Sequence, residues 1–317
     1  MTYATITGWG KCLPPASLTN DDLGTIMDTS DEWIYPRTGI KARRVSHVST
    51  QTLATLAGRR ALACAGLDAA ALDGIILATA TPGTLVPNGA SAVQQALGAH
   101  KAAVFDLNAA CTGFVYALGM AESLMRGGQA RTVLVVGTEV YSRIVDWSDR
   151  GTCVLFGDGA GAAVLRASED ADRGLLSWHL HADGRFADIL HVEGGAGSTG
   201  GPGLLRMAGR EVFRHAVSKL AAVVDEALTA NGLDRSDVQW LVPHQANLRI
   251  IEAMGKKLGL PRERVVVTVD RHANTSAASI PLALAEATRD GRIARGDLVL
   301  MEAIGGGLTW GAALARY

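Results

Sequence analysis

This sequence of 317 residues has no long apolar run, and that absence excludes one class of protein. No stretch approaches the ~18 consecutive apolar residues that a membrane-spanning helix needs. The first residues, MTYATITGWGKCLPPAS, also lack the basic start and apolar centre of a secretory signal peptide. We therefore expect a cytoplasmic protein without a membrane segment.

The sequence also lacks an excess of charge and a metal-binding pattern. It has 30 basic and 31 acidic side chains and a formal net charge of −1, so it has no overall positive field for nucleic acid. Its four cysteines form no C-x-x-C pair, and no group of Cys and His has the spacing of a zinc site. We therefore expect reduced thiols, no metal and no nucleic-acid partner.

Apolar residues and glycine, by contrast, are abundant. Hydrophobic residues make up 48% of the chain, which excludes intrinsic disorder, and the 37 glycines follow no three-residue collagen period. The length exceeds the ~250–300 residues at which one hydrophobic core usually stops growing. The sequence therefore predicts two domains or two fused half-domains.

Short apolar segments alternate with segments of helical spacing. The predicted strands are 72–80, 131–139, 238–244 and 297–305. The predicted helices are 51–66, 112–126, 211–231 and 246–259. This alternation indicates an α/β protein with layered sheets and helices.

Four short sequence matches recur in the same order in both parts of the chain. The matched pairs are 62–68 with 228–234, 106–112 with 270–276, 130–131 with 294–295, and 161–165 with 311–315. Four matches in one order indicate a duplication. We therefore predict an N-terminal half over 1–165, an irregular connector over 166–210 and a C-terminal half over 211–317.

The predicted connector contains the segment EGGAGSTGGPG at 193–203. It has six glycines and no apolar period, which is typical of a mobile loop. It lacks the Gly-Lys-Ser/Thr ending of a phosphate-binding loop. We interpret it as a gate for a substrate site, with a plain flexible connector as the alternative.

Cys111 is the first candidate for chemistry. It follows the strand-like VFDLN and precedes a helical run, so its thiol would lie at a helix N-terminus. The positive end of the helix dipole lowers the pKa of a thiol and favours the nucleophilic thiolate. The alternative is that Cys111 is a small buried core residue, as free cysteines often are.

A cysteine nucleophile needs polar partners, and His244 and Asn274 are placed to supply them. His244 ends an apolar strand just before a helix, where ligands bind in α/β sheets. Asn274 lies at a strand-to-helix turn that the repeat places opposite Cys111. The duplication therefore predicts that Cys111, His244 and Asn274 converge.

Two glycine-rich segments flank apolar strands. The three glycines at 305–307 permit close backbone approach to a ligand, so their N–H groups could form an oxyanion hole with that of Cys111; a bulge or tight hairpin is the alternative. The segment FGDGAGAA (156–163) matches a dinucleotide fingerprint weakly, but a strand-like AVLRA follows it instead of a helix. We predict a hairpin there and no nucleotide site.

Together these segments resemble the bacterial β-ketoacyl-acyl-carrier-protein synthase III family. The resemblance is carried by TSDEWIYPRTGI (29–40), NAACTGF (108–114), DRGT (149–152), FGDGAGAAVL (156–165), HADG (181–184), VPHQANLRII (242–251), DRHANTSAAS (270–279) and GGGLTWG (305–311). It implies the thiolase fold, in which two duplicated α/β halves form five layers, αβαβα. It also implies a homodimer and no metal or redox cofactor.

The resemblance implies a decarboxylative condensation that starts fatty-acid synthesis. Cys111 would attack a short acyl-CoA such as acetyl-CoA and hold the acyl group. The backbone N–H groups of Cys111 and Gly306 would stabilise the oxyanion. His244 and Asn274 would then donate hydrogen bonds to the thioester carbonyl of malonyl-acyl-carrier protein and stabilise the enolate that forms on loss of CO₂.

The resemblance also implies binding residues. Trp33, Arg37 and Arg150 would contact the coenzyme A nucleotide, and Asn247 would contact pantetheine. The basic residues expected to dock the acidic carrier protein are Arg214, Arg249, Lys256 and Lys257. A solvated helix surface is the alternative for this last group.

Other functions stay open from the residues alone. A related acyltransferase of secondary metabolism would keep Cys111 but use a different acceptor, and a cysteine hydrolase would release free acid. A thiolase would need a second, later catalytic cysteine, and none follows Cys153. Arg210 and Ile304 stand where the family commonly has Asn and Phe, so the preferred primer is not predicted.

Overall fold

The computed structural model describes residues 3–170, 173–195, 197–198 and 202–317. Its strands are β1 (Tyr3–Cys12), β2 (Ser17–Thr19), β3 (Ala42–Arg44), β4 (Gly74–Ala78), β5 (Ala103–Leu107), β6 (Thr132–Val140), β7 (Asp158–Ser168), β8 (Gly174–Ala182), β9 (Leu190–Gly194), β10 (Pro202–Met207), β11 (Trp240–Pro243), β12 (Leu298–Gly305) and β13 (Thr309–Arg316). Its α-helices are α1 (Asn20–Gly24), α2 (Asp31–Thr38), α3 (Thr50–Ala65), α4 (Gly89–Leu97), α5 (Gly113–Arg126), α6 (Gly209–Ala230), α7 (Leu248–Leu258), α8 (Val269–His272) and α9 (Ser279–Arg289). Each of the eight predicted segments overlaps the strand or helix expected for it. No helix in these described ranges is both long and apolar enough to cross a membrane.

Two sheets share one topology. The first has the order β1-β7-β6-β4-β5, and the second has the order β8-β13-β12-β11. In both, a parallel pair (β6 with β4, β12 with β11) is followed by antiparallel strands. The position that β5 occupies in the first sheet is reduced in the second to a parallel bridge between Leu241 and Val265. The duplication inferred from sequence matches is therefore visible in the strand order.

The sheets and helices form five layers. Helices α3 and α4 cover the outer face of the first sheet, α5 and α9 lie between the sheets, and α6 and α7 cover the second sheet. Strand β6 shows why both faces need cover: Val133 and Val135 join the core between the sheets, whereas Leu134 and Val136 join the outer core. The sequence of such a strand is a continuous apolar run because both of its faces are buried.

The segment FGDGAGAA does not form the predicted hairpin. Residues from Asp158 onward belong to the long strand β7, which pairs with β6 on one side and β1 on the other. Its glycines serve packing between the halves: a Cβ at Gly161 would lie 2.7 Å from the backbone nitrogen of Leu282 in α9. The small residues thus let a central helix lie directly on the strand.

The segment 166–210 is not irregular throughout, as the sequence analysis expected. Strand β8 lies inside it and pairs with β13 at the edge of the second sheet. Strands β9 and β10 form an antiparallel pair in which Leu205 lies opposite Val192. The predicted gate at 193–203 joins these two strands, and its residues 196 and 199–201 lie outside the described residues.

Candidate active site

Cys111 lies where the sequence analysis placed it, at the start of a helix between the two sheets. It sits in a single 3₁₀ turn, Ala110–Thr112, that connects β5 to α5. Ala110 adopts a left-handed φ of 47°, and the end of β12 approaches closely: a Cβ at Gly305 would lie 2.6 Å from the Cys111 nitrogen. The turn is therefore held between elements of both halves.

Burial and the helix N-terminus have opposite effects on the acidity of the Cys111 thiol. Burial raises its pKa to about 12, and Cys111 is only 4% exposed. The helix dipole was expected to lower the pKa, whereas loss of solvation on burial raises it. Burial therefore favours the protonated thiol, and activation of Cys111 by the helix dipole stays a prediction.

His244 follows β11 and is fixed on both sides. Its N–H donates to the Glu302 carbonyl at 2.7 Å, which extends the pairing of β11 with β12. Its Nδ1 lies 2.6 Å from the Ser279 hydroxyl, which also accepts the Gln245 N–H at 3.3 Å. We assign the Ser279 hydroxyl as the donor to Nδ1, so that Nε2 carries the hydrogen. Burial lowers the pKa of His244 to about 3, which keeps the imidazole neutral.

Asn274 is oriented by its own turn. Its Oδ1 accepts the Ser276 N–H at 2.8 Å, which leaves the Nδ2 amine free to donate elsewhere. Its backbone is tied to the first half, because the Asn274 N–H donates to Leu155 O at 2.8 Å and its carbonyl accepts the Gly157 N–H at 3.0 Å. The amide therefore has a defined donor side.

These three side chains line one cavity. Cys111, His244 and Asn274 surround a space of about 170 Å³. A second cavity, of about 470 Å³, also reaches Cys111 and is lined by Gly306 and Gly307. The structure thus brings the predicted catalytic residues together and places the thiol between two cavities.

The glycines at 305–307 join β12 to β13 in a hairpin that packs on the Cys111 turn. The Thr309 hydroxyl donates to Ala109 O at 3.0 Å, and the Thr112 hydroxyl donates to Thr309 O at 3.1 Å. The predicted hairpin is therefore present, and Gly306 and Gly307 also line the larger cavity with Cys111. An oxyanion hole formed by the N–H groups of Cys111 and Gly306 stays a prediction.

The residues predicted to bind coenzyme A form two groups. The guanidinium carbons of Arg37 and Arg150 lie 4.9 and 5.0 Å from the centre of the Trp33 ring, on the surface at α2. Asn247 lines the smaller cavity with Cys111. Its side chain also caps α7, where Oδ1 accepts the Ile250 N–H at 3.0 Å, a role the sequence analysis missed.

The four predicted docking residues are all exposed. Arg249, Lys256 and Lys257 lie on α7, and Arg214 lies on the adjacent helix α6. Arg249 also reaches α2, because its guanidinium donates to Pro36 O at 3.4 Å. None of the four forms a salt bridge with another residue in the described part of the chain.

Sequence reasoning missed the residues that orient the candidate donors. Ser276 and Ser279 set the directions of Asn274 and His244. Gln245 braces the same region, since its Oε1 accepts the N–H groups of Thr268 and Val269 at 2.8 and 3.1 Å. The cluster of hydroxyls in NTSAAS at the start of α9 was the available signal.

Two family models match parts of this chain. Residues 105–184 match the family described as 3-oxoacyl-[acyl-carrier-protein] synthase III, and residues 228–317 match its C-terminal family. The chain is 58% identical to a β-ketoacyl-[acyl-carrier-protein] synthase III of Acidiphilium cryptum over the whole of both chains. It is 59% identical to one of Rhodospirillum centenum over 98% of both.

A solved structure gives the same result for the fold. The crystal structure of 3-oxoacyl-[acyl-carrier-protein] synthase III from Aquifex aeolicus has a TM-score of 0.95 and 48% identity, covering 99% of this chain and 100% of that one. The five-layer thiolase fold expected from the sequence is therefore confirmed. With its duplicated halves and with full-length relatives well above half identical, this chain belongs to the β-ketoacyl-acyl-carrier-protein synthase III family.

Proposed function

We propose that this chain condenses a short acyl-CoA, such as acetyl-CoA, with malonyl-acyl-carrier protein to start fatty-acid synthesis. The observation that carries the proposal is the cavity in which Cys111 meets two oriented neutral donors, His244 Nε2–H and Asn274 Nδ2–H. A nucleophile and a pair of neutral donors are what the two half-reactions need. The reaction requires no cofactor beyond the thioesters themselves.

In the first half-reaction, Cys111 Sγ attacks the thioester carbonyl of the acyl-CoA. The tetrahedral oxyanion is stabilised by the N–H groups of Cys111 and Gly306, and coenzyme A leaves. Trp33, Arg37 and Arg150 would hold the nucleotide end, because an indole stacks on adenine and guanidinium groups pair with phosphates. Asn247, in the same cavity as the thiol, would contact pantetheine.

In the second half-reaction, the malonyl thioester carbonyl accepts hydrogen bonds from His244 and Asn274. The bond to the carboxylate breaks, CO₂ leaves, and the electron pair forms an enolate that attacks the acyl carbon on Cys111. Because burial holds the pKa of His244 at about 3, the imidazole stabilises the enolate by a hydrogen bond without a full proton transfer. The Cys111 thiolate is the leaving group.

The carrier protein and a second subunit complete the proposal. The exposed cations Arg214, Arg249, Lys256 and Lys257 would attract an acidic carrier protein. Strand β5 is a sheet edge on which Phe105 is 37% exposed, which supports a homodimer formed by edge pairing. A cytoplasmic location belongs to the same proposal.

The test follows labelled acetyl-CoA mixed with malonyl-carrier protein. We expect the wild type to form a β-ketoacyl product and Cys111→Ala to form none. Cys64→Ala is the matched control, because Cys64 is an exposed thiol on α3 and should leave the rate unchanged. Release of free acetate alone by the wild type would point to a hydrolase and overturn the proposal.

A further inference from the structure

Arg43 is a buried cation that the reaction described above does not use. It lies on β3 and is fully buried. Its guanidinium donates to three neutral oxygens: Leu18 O at 3.2 Å, Asn20 Oδ1 at 2.8 Å and Val154 O at 3.0 Å. Burial lowers the pKa of Arg43 to about 10, so the group still carries its charge near neutral pH. Because burial of a charge costs free energy, these hydrogen bonds point to a specific role.

Arg43 holds the turn to which the backbone of Asn274 is bonded. Val154 lies in the 3₁₀ turn Cys153–Leu155, and its carbonyl accepts from Arg43. The next carbonyl along the chain, Leu155 O, accepts the Asn274 N–H at 2.8 Å. Consecutive carbonyls of one turn therefore join the guanidinium to the backbone of a candidate catalytic residue.

The residue before Asn274 has a backbone conformation that needs such support. Ala273 has φ 57° and ψ −161°, a region that residues other than glycine rarely adopt. A conformation of this kind persists only where surrounding contacts hold it. The segment of Arg43 also supports α8, which precedes Ala273, because the Lys41 N–H donates to Asp270 O at 2.9 Å.

The guanidinium is itself held from the side opposite to the turn. Asn20 is 2% exposed, and while its Oδ1 accepts from Arg43, its Nδ2 donates to Asp31 Oδ1 and to Ile40 O, both at 2.7 Å. Asp31 is the first residue of α2. Hydrogen bonds thus run from α2 through Asn20 and Arg43 to the turn at Val154.

We propose that Arg43 is a positioning residue for decarboxylation. By fixing the turn at Val154 it sets the backbone of Asn274, so that the Nδ2 amine is directed at the malonyl thioester carbonyl. The inference rests on the proposed function and adds to it a residue that acts through Asn274 without touching substrate. His244 is held by other elements, β12 and α9, so we expect only one of the two donors to move when Arg43 is changed.

The test measures the two half-reactions of Arg43→Lys separately. Lysine keeps the charge but replaces the planar fork of donors by a single ammonium group. Each protein is acetylated to completion, freed of coenzyme A and mixed with malonyl-carrier protein, and the release of CO₂ is followed. We expect the rate to fall about tenfold, less than the ~100-fold expected for Asn274→Ala, which removes the donor itself. Acetylation of Cys111 at saturating acetyl-CoA should stay within about twofold of wild type.

A double variant separates positioning from a general loss of structure. In Asn274→Ala no amide is left to position, so adding Arg43→Lys should lower CO₂ release by less than about twofold further. Arg44→Lys is the matched control, because Arg44 lies on the same strand and its guanidinium donates to Pro15 O at 3.2 Å. It should release CO₂ at the wild-type rate.

Asn20→Ala tests the same link if Arg43→Lys does not fold. It removes one acceptor of the guanidinium and leaves Arg43 in place, so CO₂ release should fall about threefold while acetylation is kept. Equal CO₂ release by Arg43→Lys and Arg44→Lys, equal loss in both half-reactions, or a full tenfold loss on top of Asn274→Ala would refute the inference. Failure of the proposed function itself would look different, since the wild type would then form no β-ketoacyl product.

Discussion

At the residue scale, neighbouring groups hydrogen-bond to the side-chain atoms of His244 and Asn274 that should not face the substrate. Ser279 occupies His244 Nδ1, and the Ser276 N–H occupies Asn274 Oδ1. Each partner leaves one N–H donor free, and that donor has no competing acceptor in its own turn. The orientation is set before substrate arrives, so the enolate meets donors that need no reorganisation.

Replacing Ser279 by Ala should impair decarboxylation selectively. Without the hydroxyl, Nδ1 loses its donor, and the tautomer with hydrogen on Nδ1 becomes accessible. Loss of one such hydrogen bond corresponds to about 1.4 kcal/mol, or roughly tenfold in rate. We expect CO₂ release from malonyl-carrier protein to fall by about that factor while Cys111 acetylation stays unchanged. Ser123→Ala, on the exposed side of α5, is the control, and equal loss in both half-reactions would contradict the tautomer assignment.

At the element scale, glycines set how closely helices approach the sheets. Gly10 of β1 lies under α3, and Gly161 of β7 lies under α9. In both cases the contact is with helix backbone, which cannot move aside as a side chain can. These strands therefore hold the layers at a distance that any larger residue would change.

A methyl group at Gly10 tests this packing. It would collide with the Ala57 carbonyl oxygen in α3, so Gly10→Ala should lower the free energy of unfolding by about 3 kcal/mol. Denaturant titration measures the change. Gly184→Ala is the control, because no atom lies within 4 Å of its added Cβ, and it should shift stability by less than about 0.5 kcal/mol. Similar values for the two variants would contradict a packing role.

The elements also show what a sequence can predict. Central strands such as β6 and β12 are buried on both faces, so their composition alone identifies them. Strand β8 was missed because it is an edge strand whose middle residues are only half-buried. Cys111, His244 and Asn274 were predicted because the ends of strands and the starts of helices can be recognised in the sequence. Ser279 and the raised pKa of the thiol were not predicted, because Ser279 lies 35 positions from His244 and the pKa depends on burial.

At the scale of the whole molecule, the two halves differ at one edge. The first sheet ends in β5, which carries Phe105 at its surface, whereas the second sheet has only the bridge at Leu241 and Val265 in that position. The first half thus supplies the surface through which we propose that two chains pair.

Phe105→Asp tests this pairing. A charge on the apolar edge strand should convert the dimer to a monomer at micromolar concentration, measured by sedimentation velocity, because a buried unpaired carboxylate opposes association. Leu56→Asp on α3, where Leu56 is equally exposed at 37%, should leave the dimer intact. A monomeric wild type, or a Phe105→Asp variant that stays dimeric, would contradict edge pairing through β5.

The loss of a full strand at this position of the second sheet also limits how far such pairing can spread. When an edge strand pairs with the same strand of a second subunit about a twofold axis, that one contact covers the edge of both subunits. Had the duplication kept an equal strand in each half, every subunit would offer two such edges, and chains could add end to end into a fibre. With the second reduced to the bridge between Leu241 and Val265, the proposed pairing through β5 would stop at two subunits.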